Sequence, residues 1–158
     1  MITQEEILRL AKERGACEEG IEWYSNKHPE ALLTWEAIER CVFGWVAANI
    51  PEAHGYLKTL PEELKEKALV SRERYIRKTM VRIGHRLDVL KDDYDLYVRM
   101  AVAKQGYALE QLKDDPDWCV RHAVAQQGYA LEQLKDDPDE WVREIAIKKL
   151  KEKANAHD

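Results

Sequence analysis

Several features common in secreted, membrane or catalytic chains are scarce here. The 158 residues include one Phe, five Pro and three Cys. Cys17, Cys41 and Cys119 are widely spaced and odd in number, which argues against a disulfide framework, and they read as free thiols. No apolar run approaches the ~20 residues needed to span a bilayer. The start, Met1-Ile2-Thr3-Gln4-Glu5-Glu6, lacks the basic residues and apolar stretch of a signal peptide. Together these absences point to a cytoplasmic protein with no membrane partner. Also missing are a Gly-rich phosphate loop, a His-Glu-x-x-His zinc motif and a Gly-x-Ser-x-Gly elbow.

What is present is charge and large polar aromatics. Charged residues make up 35% of the chain, and five Trp and seven Tyr accompany the single Phe. This composition suits one globular domain, or one with a small appendage. The net charge of −5 is unevenly spread. Residues 65–86 carry eight basic side chains against Glu66 and Glu73, while the segments on either side are acidic. A basic island therefore lies between two acidic stretches.

The dominant feature is a repeat of 22 residues. Val98–Asp117 aligns with Val120–Asp139 at 18 of 20 positions. A diverged copy precedes them, with Ile76, Arg77, Gly84, Leu87, Leu90, Asp92, Asp93 and Asp95 in register, and a partial copy follows at Trp141-Val142-Arg143. Val120, Ala123, Val124 and Gln127 have the spacing of one helical face. Asp115-Pro116 and Asp137-Pro138 read as helix starts, with Asp as cap and Pro at the first helical position. Glu140 suggests a capping box in the second case. Gly106 and Gly128 read as left-handed stops. A second segment of one or two turns follows, with Leu131 and Leu134 facing inward. Helices this short must stack on their neighbours to bury an apolar stripe. The expected fold is all-α: a short α-solenoid of 22-residue helical repeats with an N-terminal helical cap.

The pattern Asp-Pro-Asp-Trp-x-Val-Arg-x-x-Val-Ala, followed by Gly and Leu-x-x-Leu, resembles the leucine-rich repeat variant and, more broadly, the HEAT-like helical repeats. The likeness covers residues 74–153, with units starting near 74, 96, 118 and 140. In such repeats an Asp and an Arg six positions later form a ladder between stacked units. The resemblance implies this role for Asp93 with Arg99, Asp115 with Arg121 and Asp137 with Arg143. One type of variant-repeat protein carries an iron–sulfur cluster on grouped cysteines. Three dispersed cysteines cannot supply four thiolates, so no cofactor is expected.

Residues 1–60 read as a helical cap, 61–153 as the array and 154–158 as a disordered tail. In the cap, residues 3–14 form a helix capped by Thr3 and stopped by Gly15, and a second helix runs from about Pro29 to Ala48. Residues 16–23 resemble a short module of uncharacterised bacterial and phage proteins, which implies no function. Gly55-Tyr56-Leu57-Lys58-Thr59-Leu60 echoes the repeat and suggests an eroded unit.

Function is sought where the copies disagree, because the recurring residues serve stacking. Tyr97, Met100 and Lys104 correspond to Cys119, His122 and Gln126 and then to Trp141, Glu144 and Lys148. Stacking aligns them into a ridge suited to another protein; the same positions also suit inter-repeat packing. The expected role is a non-enzymatic protein-interaction scaffold. The alternative is nucleic-acid binding through Arg72, Arg74, Arg77, Lys78, Arg82 and Arg86, against which stands the acidity of the following repeats. DNA glycosylases exist among HEAT-like proteins, but no catalytic residue is identified here. Self-association through surfaces of opposite charge is a third possibility. Cys17, His28, Cys41 and His54 lack close ligand spacing, so no metal site is expected, and His85 and His122 read as ordinary surface residues.

Overall fold

The computed structural model describes residues 2–40 and 42–155; Met1, Cys41 and 156–158 lie outside the described residues. All regular elements among them are helical. None is long and apolar enough to cross a membrane. The chain divides into two compact units, Met1–His85 and Arg86–Asp158. This boundary falls inside the first 22-residue copy.

The first unit opens with α1 (Gln4–Glu13), whose cap Thr3 accepts from the Glu6 N–H. Gly15, at φ +77°, stops it. Next come α2 (Glu18–Ser25), a 3₁₀ segment at Pro29–Leu33, α3 (Trp35–Glu39) and α4 (Val42–Asn49). The single helix expected from about Pro29 to Ala48 is therefore broken. Thr34 starts a new helix by accepting from the Ala37 N–H, and Arg40 closes it. After a 3₁₀ turn at Pro51–Ala53 come α5 (His54–Leu57), α6 (Glu62–Leu69) and α7 (Arg74–Arg82). Gly55 lies within α5 and is not left-handed, so the echo at 55–60 does not reproduce the turn of the repeats.

Ile7, Leu32, Phe43, Ile50, Leu57 and Met80 are buried in this unit. α4 packs on both α1 and α7. Its approach to α7 requires Gly44: a Cβ there would stand 2.8 Å from Thr79 Oγ1, and that hydroxyl is tied to the Tyr75 carbonyl.

The second unit repeats one motif. Helices α8 (Leu87–Leu90), α10 (Leu109–Leu112) and α12 (Leu131–Leu134) are single turns, and α9 (Leu96–Lys104) and α11 (Trp118–Gln126) have nine residues each. α13 (Glu140–Asn155) completes the unit. α11 packs between α9 and α13, burying Val98, Val102, Val120, Val124 and Val142.

The glycine stops form as expected. Gly106 and Gly128 are both at φ +75°. The Gly106 N–H donates to Ala103 O and the Tyr107 N–H to Val102 O, which is a Schellman closure. Leu150 stands 22 residues after Gly128. Lacking that stop, α13 runs on through residues 154 and 155, which the sequence pattern assigns to a disordered tail.

Two details correct the expected helix starts. α11 and α13 begin after Asp117 and Asp139, not after Asp115 and Asp137. Asp117 accepts from the Cys119 N–H, and Asp139 from the N–H groups of Trp141 and Val142. The capping box at Glu140 is thus replaced by an Asp cap one position earlier. In addition, Arg86, Ala108 and Ala130 take left-handed conformations at the starts of α8, α10 and α12, although none is Gly. L-residues pay a steric cost there, which the packed turns must offset.

Candidate functional site

The polar residues that recur are committed to the fold. Arg99 Nε and Nη2 donate to both oxygens of Asp115, at 2.7 and 3.0 Å. Arg121 grips Asp137 in the same way, at 2.7 and 2.9 Å. The ladder therefore runs from each Arg to the Asp of the next unit, 16 residues on, rather than to the Asp six residues before it. Toward that earlier Asp the Arg donates only to backbone: Arg121 Nη1 reaches the carbonyls of Asp115 and Pro116. Arg99 and Arg143 do the same one unit before and after.

Asp137 also accepts from the Asp139 N–H, which fixes the loop that positions the next cap. Burial alone would raise the Asp137 carboxyl. The hydrogen bonds from Arg121 and the Asp139 N–H, with the charges of Arg121 and Arg143, outweigh burial and hold it below the usual carboxylate range. A second set of cross-unit links joins the short turns: Gln133 to Asp114, Gln111 to Asp92, and the Tyr129 hydroxyl to Glu110. This set explains why Gln and the first Asp of each Asp-Asp pair recur.

The nine positions of the ridge lie on α9, α11 and α13, and none is buried. Tyr97, Lys104, Gln126, Trp141, Glu144 and Lys148 are exposed; Met100, Cys119 and His122 are half-buried. They occupy the side of each helix turned away from Val98, Val120 and Val142. One neighbour escaped the sequence reading. Trp118 replaces Leu96 and Glu140 of the adjacent copies. It is 42% exposed and meets the His122 ring edge-on at 6.4 Å. Its departure from the repeat was the available signal.

Burial, followed by the charge of Asp117, pushes the Cys119 thiol up, away from thiolate formation. Burial and the nearby Lys104 charge push His122 down, favouring neutral imidazole.

The basic island is not uniformly exposed. Arg77 is 2% exposed and donates to the carbonyls of Ser71 and Arg72. It therefore makes the backbone contacts that Arg99 and Arg121 make to the carbonyls five and six residues before them, and its burial withdraws it from the surface. Arg82 is half-buried with Nη1 3.5 Å from the Gly44 carbonyl, and Lys78 is half-buried. Arg72 and Arg74 are exposed in the first unit, whereas Arg86 belongs to the second and faces Asp88.

No family model, curated protein or solved structure matches the chain.

Of the dispersed Cys and His residues, Cys17 and His28 are exposed and Cys41 lies outside the described residues. His85 is not an ordinary surface residue: its side chain is 14% exposed and faces Glu62 and Glu66. The first unit also holds an apolar cleft of about 230 Å³ among α1, α2 and α4, lined by Leu8, Ile21, Tyr24 and Trp45 with Cys17 and Arg40. Ile7, Leu8 and Ala11 of α1 all line this cleft; Ile7, Leu10 and Ala11 are buried and Leu8 is half-buried.

Proposed function

We propose that the chain is a non-enzymatic scaffold of the HEAT-like, leucine-rich-repeat-variant kind: a short α-solenoid that presents the face of α9, α11 and α13 to another protein. The observation that carries this reading is the division between recurring and varying residues. Recurring Asp, Arg, Gln and Val are used in the two cross-unit networks and the core. The varying positions stay accessible and include Tyr97, Trp118 and Trp141, at 42%, 42% and 62% exposed. Large aromatics left half-uncovered on adjacent helices, beside the adaptable Met100, are the residue types that dominate protein interfaces.

Met100→Glu combined with His122→Glu tests this reading. Neither side chain is in the core, so the melting temperature should stay within a degree or two, while a partner captured by the wild-type chain should be lost. Partner capture unaffected by the double substitution would sink the reading. Collapse of the fold would instead assign the ridge to inter-repeat packing.

A further inference from the structure

Outside the ridge, one group of side chains in the first unit converges on a small volume. Glu62 and Glu66 stand one turn apart on α6, so their carboxylates leave the same face of the helix. Gly84, at φ +74°, closes α7 and turns the chain, and the His85 N–H is held by Met80 O. His85 is thereby brought over that face, with Nε2 3.6 Å from Glu62 Oε1 and 3.4 Å from Glu66 Oε1. One ligand atom from each residue lies within 4.8 Å of the others.

These separations are long for N–H···O hydrogen bonds, which centre on about 2.7–3.2 Å. The two His85–carboxylate separations match the edge of a coordination tetrahedron, since metal–ligand bonds of about 2.0–2.2 Å place neighbouring ligand atoms about 3.3–3.6 Å apart, and the two carboxylate oxygens, within 4.8 Å of each other, close onto a bound ion. Lys65 Nζ, 3.1 Å from Glu62 Oε2, holds the other oxygen of that carboxylate. It leaves Oε1 directed toward His85, the arrangement by which outer groups orient metal ligands.

We propose that Glu62, Glu66 and His85 form a binding site for a divalent transition cation, zinc above all, with water completing the shell. An imidazole among the ligands favours zinc over magnesium or calcium, which prefer oxygen alone. The bound metal clips α6 to the turn that closes α7.

The test uses the full chain, stripped with a chelator and titrated with Zn²⁺ by calorimetry and with Co²⁺ by visible absorption. One equivalent should bind, Co²⁺ should give the intense bands of a four-coordinate site, and Zn²⁺ should raise the melting temperature. His85→Gln and Glu66→Gln should each weaken Zn²⁺ binding by at least about tenfold, while Glu63→Gln, exposed on the same helix, should not change it. Because His85→Gln can also loosen the turn, paramagnetic broadening of the wild-type chain by Co²⁺ provides a second measurement. Signals of Glu62, Glu66 and His85 should broaden first. No saturable binding, undiminished affinity in the His85 variant, or broadening centred on another acidic segment would each overturn the site.

Discussion

Asp137→Asn isolates the cross-unit ladder. The substitution keeps a side-chain oxygen to accept from the Asp139 N–H but removes the charge that Arg121 holds through two hydrogen bonds. The two side chains are 13% and 4% exposed, so little water is available to replace the lost partner. Removing one member of a buried ion pair costs about 3–5 kcal/mol. Arg121 keeps its bonds to the carbonyls of Asp115 and Pro116, which places the expected loss near the lower bound, about 3 kcal/mol. For a unit of this size the melting temperature should fall by about 10 °C or more.

The reference is Glu132→Gln. It breaks the exposed Lys135–Glu132 pair, whose side chains are 42% and 74% exposed, and should cost under about 1 kcal/mol. Urea and thermal unfolding of both variants, with Arg121→Met and the double variant completing a cycle, give the coupling energy, expected near 2 kcal/mol. The pH dependence has a definite sign. The Asp137 carboxyl is depressed in the folded chain, so its contribution is complete above the unfolded carboxyl value of about 3.9 and is lost as pH falls through the lower folded value. Equal losses for Asp137→Asn and Glu132→Gln, or a coupling near zero, would refute the ladder as a stabilising element.

Other substitutions address separate parts of the fold. Leu112→Ala, at a side chain 2% exposed, should cost about 2–5 kcal/mol by equilibrium unfolding; a melting shift under about a degree would place Leu112 outside the core. Ala108→Gly, at φ +54°, should be neutral or stabilising by up to about 1 kcal/mol, because relief of left-handed strain offsets the added chain entropy. Gly106→Ala, at φ +75°, should be destabilising by about 1 kcal/mol or more, and the opposite order in thermal melts would contradict the turn geometry. Gly44→Ala should cost about 1–3 kcal/mol through overpacking against Thr79, with Gly55→Ala, which meets nothing within 4 Å, as the tolerated control.

The repeat and its glycine stops were legible because near-identical copies expose what each position must do. The cap register was not. Asp115 and Asp117 are equally good caps in isolation, and the choice is made by Arg99, which occupies the Asp115 carboxylate from the preceding unit. Left-handed Ala108 and Ala130 leave no trace in the sequence, since alanine is chosen elsewhere for helix interiors. The break at Thr34 did leave one: a capping residue before Trp35, masked by the apolar periodicity that runs through it. Trp118 adjoins the varying positions rather than lying on their spacing, so the ridge pattern does not include it. Glu62 and Glu66 on α6 and His85 in the turn after α7 share no motif, so only the turn at Gly84 brings them together.

The most direct test of the ridge is hydroxyl-radical footprinting of the chain alone and in complex with a partner it captures. Met100, Trp118 and Trp141 should be protected in the complex, while Tyr107 and Tyr129 react as before. Protection of Tyr107 and Tyr129 with Met100, Trp118 and Trp141 unchanged would contradict the assignment of the varying face as the partner-binding surface.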